Sequence, residues 1–354
     1  LTSSNFVITH LNFSSGYRGG ERQTTLLIQE LAQRDVHQQL FTRLDSELAR
    51  RCTGIKNLEI IKIDRPYILS FAKFKSAQLL HAHETKGVQV ALLLNKIYRT
   101  PYIITRRVNN KIKNNAFTKA MYRHSSYNVA LSHAIKAAIL QVAPQSNIPV
   151  IPSAQTDFSI NPAQVAKIKQ RFKGKLLIGN IGELENRDKG QYYLIEAIKK
   201  LALERDDLHF IFLGKGPDEQ SYRQQAKGLT NVTFEGFVDN VGDYIAAMDL
   251  FVFPSLNEGL GSILLDVMKL KVPVIASNTG GIPDIVKDQQ TGLLVEPQDI
   301  DGIQQSIQLL LADQTLASQL SEAAYLHTLN FSPTSMTDAY QALYRTIYTQ
   351  SLHK

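Results

Sequence analysis

Glu258 stands among small residues in Asn257-Glu-Gly-Leu-Gly261, and Asp266 follows eight residues later. A carboxylate in such a setting accepts hydrogen bonds from hydroxyl groups. Gly259 and Gly261, with Leu260 between them, let backbone amides approach a ligand with little side chain in the way. A helix starting just behind the loop adds the partial positive charge of its amino end, which favours phosphate or carboxylate oxygens. Acid, Gly-x-Gly, acid therefore describes a polyhydroxylated, phosphate-bearing ligand better than an apolar one. An acidic loop that merely caps a helix would use the same residue types.

The elements that must hold these residues are legible on both sides. Leu250–Phe253 is a short apolar run bounded by Pro254, the pattern of a buried parallel strand. Ser262–Leu270 is apolar at helical spacing and can turn Asp266 toward the loop that carries Glu258. Val272–Ala276 is the next strand, and Asn278-Thr-Gly-Gly281 a second loop at a strand end. Loops at the carboxyl ends of adjacent parallel strands are where open α/β sheets hold ligands.

With FVFPS ahead of it and PVIASNTGGIPDIV behind it, the Glu258…Asp266 block resembles the retaining glycosyltransferases of family 4, which have the two-domain GT-B fold. The resemblance runs through nearly the whole chain and is strongest over residues 175–300. It implies that Glu258 binds the donor sugar and that Asp266, standing where the family has a second Glu, meets the nucleotide ribose. Aspartate keeps the charge one methylene short. The family also has an Arg directly after the first glycine of the second domain and a Lys five residues later, both on the donor diphosphate. Here Gly182 is followed by Glu183, and Lys189 sits one place beyond the family position. Lys189 is expected on the diphosphate as a catalytic group, with Arg187 supplying charge from the same loop. The backbone near Phe237 and Val238 is where relatives hold the base.

The first half opens with a strand at 5–10, then Gly16-Tyr-Arg-Gly-Gly20 as a loop, then a helix over Thr24–Gln33. Free amides at a helix start favour an anion, and the resemblance implies that Gly19 and Gly20 close over the donor diphosphate. Short β runs follow at 38–42, 58–63, 79–83, 102–105 and 127–131, alternating with helical stretches as in a doubly wound sheet. His83 ends one of these strands and Arg106-Arg107 another, at the edge expected to face a cleft between the domains. The resemblance places an arginine-bearing subgroup at Arg107, and a guanidinium can grip phosphate or carboxylate in two-pronged fashion. His83, Arg106 and Arg107 are expected on the acceptor side, with the donor phosphate as the alternative partner of the two arginines. No H-E-x-x-H follows His81 and His83, and the one D-x-D, Asp299-Ile-Asp301, reads as a helix start, so no metal is expected.

Charge is divided unevenly. Residues 1–156 hold 21 Lys and Arg against 8 Asp and Glu, and residues 157–354 hold 18 against 24. No acid occurs between Thr85 and Thr156. In Asn109–Arg123 the cations Lys111, Lys113, Lys119 and Arg123 alternate with Ile112, Phe117, Met121 and Tyr122, a pattern suited to an anionic membrane surface. No nucleic-acid motif accompanies it, so no nucleic acid is expected. A single cysteine, Cys52, excludes a disulfide framework. With no leader pattern and no long apolar run, the expected place is the cytoplasm, on the inner face of the inner membrane.

The expected fold class is α/β of GT-B type: two doubly wound Rossmann-like domains with a cleft between them. Residues 1–155 would bind the acceptor, 156–172 would link, and 173–330 would bind the nucleotide sugar. Residues 331–354 would form a helix crossing back to the first domain. The expected activity moves a sugar, with retention and without metal or other cofactor, from a nucleotide-diphosphate sugar to a hydroxyl of a lipid-linked or phosphorylated glycan in lipopolysaccharide or surface-polysaccharide synthesis. A nucleotide-sugar epimerase of the same fold shares the acidic site but has no need of the basic segment. A dehydrogenase needs a dinucleotide fingerprint that is missing. A non-catalytic polyanion- or membrane-binding protein has no use for the Glu258 block.

Overall fold

The computed structural model describes residues 6–352. Two compact units divide the chain. One contains the residues up to Ala154 together with those from Phe331 onward, and the other runs from Gln155 to Asn330.

In the first unit β1 (Val7–Leu11), β2 (His37–Arg43), β3 (Leu58–Ile63), β4 (Leu79–Ala82), β5 (Tyr102–Arg106) and β6 (Tyr127–Ala130) form one sheet in the order β3-β2-β1-β4-β5-β6. All its pairings are parallel. Asn5, the start of the strand expected at 5–10, lies outside the described residues. Strand order reverses direction between β1 and β4, and this crossing is the switch point where such sheets accept ligands. Glu84 braces it. Its carboxylate accepts the Lys86 and Gly87 amides, both at 2.6 Å, at the start of helix Thr85–Tyr98, and the Phe13 amide beyond β1 at 3.2 Å.

Helix Pro333–Leu352 covers one face of that sheet. Met336, Tyr340, Tyr344 and Ile347 recur at helical spacing and pack with Ile8, Leu27, Leu31, Leu79, Ile103 and Val129 into one buried cluster. Arg34 pins the same helix by donating to Asp338 (2.6 Å), Gln341 (3.0 Å) and the Thr334 carbonyl (3.2 Å). The expected return of the last helix to the first domain thus has a concrete packing basis.

The second unit repeats the plan. β7 (Leu176–Ile181), β8 (Leu208–Leu213), β9 (Val232–Gly236), β10 (Leu250–Phe253), β11 (Val274–Ser277) and β12 (Leu293–Val295) are ordered β12-β11-β10-β7-β8-β9, again with parallel pairings. Relative to its own first strand this is the same topology, with the switch point between β7 and β10. Its core gathers Ile178, Leu194, Ile198, Phe210, Phe212 and Val252 with Ile303 and Ile307 of helix Ile300–Ala312. Residues 156–172, expected as a linker, are part of this unit. Helix Pro162–Arg171 lies there, Asn161 donates its amide to Asp243 (2.7 Å), and Gly242 packs against Phe158 and Ile160.

Tyr344 is fully buried, and its hydroxyl lies 2.7 Å from His81 Nδ1. Tyr344→Ala is expected to lower stability by about 3–5 kcal/mol, as large aromatic truncations in cores do. Urea unfolding followed by far-UV circular dichroism measures it. A loss below about 1 kcal/mol would mean that the last helix contributes little to this core.

Candidate active site

Three loops interlock at the carboxyl ends of β7, β10 and β11. Glu258 lies in the loop after β10 and Lys189 in the one-turn helix Asn186–Lys189 after β7, and their side chains meet, Nζ to Oε2, at 2.6 Å. Both are mostly buried, with side-chain exposures of 23% for Lys189 and 17% for Glu258. The backbone holds them there. Asp188 offers its carbonyl to the Leu256 and Asn257 amides, at 2.8 and 3.2 Å. Gly190 (φ +65°) would place a Cβ 2.0 Å from the Pro254 carbonyl oxygen, so no other residue fits. On the far side Gly281 donates its amide to the Glu258 carbonyl (3.0 Å), and Thr279 its hydroxyl to Leu256 (3.1 Å).

The remaining residues expected at this site fall at different depths. The Gly259 amide points at Glu258 Oε1 (3.2 Å), Leu260 is buried, and Gly261 takes a left-handed conformation (φ +79°) just ahead of helix Ile263–Lys269. Asp266 is 4% exposed, and its Oδ1 accepts the Thr156 amide at 2.5 Å. One oxygen of this acid therefore holds the entry of the chain into the unit. Arg187 is 73% exposed and leans on Asp188 (3.0 Å) and Glu185 (3.5 Å), so its charge is compensated locally. Glu183 gives its carbonyl to the Gln191 side chain (3.0 Å). Phe237 is 68% exposed, immediately after edge strand β9, with Val238 half-buried beside it. Two groups not singled out from sequence sit at the β7/β10 crossing. Asn180 donates to the Val252 carbonyl (2.9 Å), while its Oδ1 and the buried Ser255 hydroxyl have no protein partner among the described residues.

The first unit presents a different chemistry. Ile8-x-His10, Leu79-x-His81-x-His83 and Ile103-x-Thr105-x-Arg107 advance by twos, and the polar members follow the apolar ones on the face covered by the last helix. His81 meets the Tyr344 hydroxyl and the Thr105 hydroxyl, both at 2.7 Å, and Thr105 meets Tyr340 at 2.9 Å. His83 is 4% exposed, with Nε2 at 3.0 Å from His10 Nδ1 and Nδ1 at 3.4 Å from Arg107. Both its ring nitrogens are thus engaged by protein groups, which leaves it no atom for an acceptor. Ligand nitrogens of His10, His81 and His83 lie within 4.8 Å of one another. Hydrogen bonds already account for them, and a cation there would stand beside the Arg107 guanidinium. Burial holds His10 down to about 4 and puts His81 and His83 well below the usual imidazole range, with Arg107 adding to the last two.

The paired arginines part ways. Arg106 donates to the Tyr122 hydroxyl (3.1 Å) and to the Asn110 carbonyl, tying down the segment after β5. Arg107 lies across the amino end of helix Gly19–Gln33, where its Cδ is 3.2 Å from the place a Gly20 Cβ would occupy. This helix starts five residues earlier than its apolar periodicity indicates, so Gly19 and Gly20 form its first turn rather than a loop. Glu21 stabilises that start by accepting the Arg18 amide at 3.0 Å.

The basic segment needs correction in one respect. Ile112, Met121 and Tyr122 are 8%, 6% and 6% exposed and face the protein's own core. Of the four expected apolar anchors only Phe117, 48% exposed, points outward, with Val108 nearby in sequence at 52%. Lys111, Lys113 and Arg123 are exposed and Lys119 half-buried, and none is paired with an acid among the described residues. No described helix is long and apolar enough to cross a membrane.

Residues 175–313 match the family model for glycosyl transferases group 1. Among curated proteins, lipopolysaccharide core biosynthesis glycosyltransferase LpsE of Rhizobium meliloti is 31% identical over 160 residues, covering 44% of this chain and 46% of the relative. The putative teichuronic acid biosynthesis glycosyltransferase TuaC of Bacillus subtilis is 26% identical over 261 residues, covering 70% and 64%. The chain spans about half the length of LpsE and less than two thirds of TuaC. Anabaena Alr3699/HepE, solved in complex with UDP and glucose, superposes with a TM-score of 0.83 at 19% identity, over 96% of this chain and all of that one. WaaG, a glycosyltransferase involved in lipopolysaccharide biosynthesis, gives 0.69 at 17%, over 94% and 98%. The fold is GT-B, and the resemblance to bacterial lipopolysaccharide and polysaccharide glycosyltransferases read from the Glu258 block holds.

Three neutral buried histidines make stability depend on pH. Their folded pKa values lie below the unfolded value of 6.5, so the unfolded chain takes up protons below that pH that the folded chain refuses. Stability is complete above about pH 6.5 and falls as pH is lowered toward 4. With one pKa unit worth about 1.4 kcal/mol, His10 alone accounts for about 2 kcal/mol by about pH 5. Urea midpoints at near-neutral pH and about pH 5 give the difference. Replacing His10 by Gln should reduce that dependence, and an unchanged slope would contradict the assignment of a buried neutral ring.

Proposed function

We propose that the protein is a glycosyltransferase that moves a sugar from a nucleotide-diphosphate sugar to a hydroxyl of a lipid-linked or phosphorylated glycan in lipopolysaccharide or surface-polysaccharide synthesis. The observation that carries this reading is the Lys189–Glu258 pair at the β7/β10 switch point, inside the segment that matches group 1 glycosyl transferases. A lysine and a carboxylate 2.6 Å apart satisfy each other in the absence of substrate. A donor offers both a better partner: the diphosphate takes the ammonium, and sugar hydroxyls take the carboxylate. The leaving diphosphate then develops charge beside Lys189 and the loop amides, which is where stabilisation accelerates the reaction. Glu258 is a binding group in this scheme, and the diphosphate itself takes the acceptor proton.

The likeness to family 4 supports retention at the anomeric carbon in this proposal, and no step of it calls for a metal. The bases bound by relatives do not choose among UDP, GDP and ADP here. A thermal-shift screen with UDP-, GDP-, ADP- and CMP-sugars, with and without EDTA, is expected to single out one diphosphate sugar, with a shift indifferent to EDTA. Replacing Glu258 by Gln separates binding from transfer. Releasing Lys189 should tighten the bare nucleoside diphosphate several-fold, while transfer falls roughly tenfold to hundredfold with the loss of a charged hydrogen-bond partner. Unimpaired transfer would remove Glu258 from the donor site. A donor sugar converted to its epimer, with no product on an acceptor, would favour the epimerase reading instead.

The basic segment after β5, in a stretch of sequence without acids, supports a second partner, an anionic membrane face, reached through Lys111, Lys113, Lys119 and Arg123 around exposed Phe117. We place the enzyme on the cytoplasmic face of the inner membrane on this basis. Reversing Lys111, Lys113 and Lys119 to Glu should abolish co-sedimentation with vesicles containing phosphatidylglycerol and leave the melting temperature within about 2 °C. Undiminished sedimentation would show that the segment is a solvated basic surface.

A further inference from the structure

A chain of side chains in the first unit is polarised in one direction. Gln38 donates its amide nitrogen to the Ile28 carbonyl at 3.0 Å, which leaves Oε1 facing His10 Nε2 at 3.1 Å. An amide oxygen only accepts, so His10 carries its proton on Nε2 and its Nδ1 is an acceptor. His83 Nε2, 3.0 Å from that Nδ1, must then bring a proton, and His83 Nδ1 becomes an acceptor in turn. Arg107 stands 3.4 Å from it and can only donate. Every polarity is fixed from the Ile28 carbonyl outward, with both rings in the Nε2–H form. Adding a proton to either ring would set two donors face to face in a site where His10 is 0% and His83 4% exposed.

The chain ends on a cation with unused capacity. Arg107 Nε is buried without a partner, and no carboxylate pairs with the guanidinium among the described residues. Glu21 is the acid that acts on it electrostatically, and one oxygen of that carboxylate is committed to the Arg18 amide. The guanidinium rests on the first turn of a 15-residue helix, whose leading amides have no intrahelical acceptor. Arg106, its neighbour in sequence, shares the unpartnered Nε but commits both terminal nitrogens to Tyr122 and Asn110. The relay of Gln38, His10 and His83 therefore ends on Arg107.

We propose that Gln38, His10 and His83 are positioning residues that hold Arg107 to receive a phosphate or diphosphate group of a substrate at the amino end of helix Gly19–Gln33. This rests on the reading of the protein as an enzyme for phosphate-bearing sugar substrates. A donor diphosphate and a phosphate on the acceptor glycan share the required chemistry, and the test separates them.

The full chain labelled with ¹⁵N-histidine, carrying Lys189→Ala to remove the lysine of the other unit, is titrated with inorganic pyrophosphate and separately with glucose 6-phosphate. His10 and His83 are expected as neutral Nε2–H tautomers before ligand is added. The His83 Nδ1 resonance should then move on saturation while His209 and His327 stay in place. Movement with pyrophosphate assigns the site to the donor, and movement with the phosphomonoester alone assigns it to the acceptor. Replacing His10 by Ala should weaken the bound anion about three- to tenfold, the worth of one hydrogen bond, and replacing Arg107 by Gln should weaken it much further, leaving only residual binding at high ligand. His10→Gln should recover part of the loss, and it replaces the alanine variant if that one fails to fold. In the Arg107→Gln protein, residual binding at high ligand should be indifferent to His10→Ala, because the relay acts through Arg107. An Nδ1–H tautomer at His83, a His83 resonance unmoved by both anions, or an equal His10→Ala effect with and without Arg107 would overturn the proposal. Anion binding at His83 without sugar transfer to any acceptor would sink the glycosyltransferase reading and leave the relay standing.

Discussion

Two carbonyl oxygens decide the shape of the site in the second unit. The Pro254 oxygen passes where a Cβ at position 190 would stand, and the Glu258 oxygen passes where a Cβ at 280 would stand, each at 2.0 Å. With glycine at both places the loops after β7, β10 and β11 close to hydrogen-bonding distance and brace one another through the Asp188, Leu256 and Glu258 carbonyls. Any larger residue would push the loops apart and carry Glu258 away from Lys189. The chemistry therefore depends on backbone contact before it depends on charge. The carboxylate and the ammonium are presented on short, mutually supported turns at the ends of buried strands, and this support pre-organises the pair.

The first unit solves a related problem with side chains. A guanidinium largely removed from water needs acceptors or counter-charge, and the residues beneath Arg107 are histidines that burial keeps neutral. Neutral rings tolerate the cation where imidazolium ions would repel it. The hydroxyls of Tyr344 and Thr105 occupy His81, and Tyr340 in turn meets Thr105, so the last helix contributes polar closure to this layer as well as apolar cover. A helix from the end of the chain thereby sets the dielectric around groups that come from its beginning.

How much of this could be read beforehand follows from which interactions are local. Leu250–Phe253 was legible to the residue, because a buried parallel strand is a short apolar run with a clear breaker at its end. The loop that carries Glu258 and its glycines was legible because Pro254 and the glycines break the pattern between strand and helix. The start of helix Gly19–Gln33 was missed. Two glycines argue for a loop by propensity, and the Arg18–Glu21 capping contact that overrides them is visible only as an acid three residues on. The inward turn of Ile112, Met121 and Tyr122 was missed because an amphipathic pattern tells that one face is buried without telling what buries it. His10 and Gln38 carried no motif at all. Period-two alternation puts His10 behind Ile8 and His83 behind Leu79 and His81, but only the order β2-β1-β4-β5 makes them neighbours, and strand order is a long-range property.

Asp266 shows how a pattern can keep its spacing and change its use. Its carboxylate lies eight residues beyond Glu258, and the intervening turn and helix orient it into the unit, yet one oxygen meets the Thr156 amide at 2.5 Å. The shorter side chain suits that task. Held closer to its helix, the carboxylate reaches the incoming chain just after Ala154, where Lys269 also anchors Asp157 at 2.9 Å. The aspartate at this position thus grips the segment that opens the unit. In the loop that carries Glu258 the amide of Gly259 is turned toward the carboxylate, and Gly261 takes the left-handed turn that leads into the helix of Asp266.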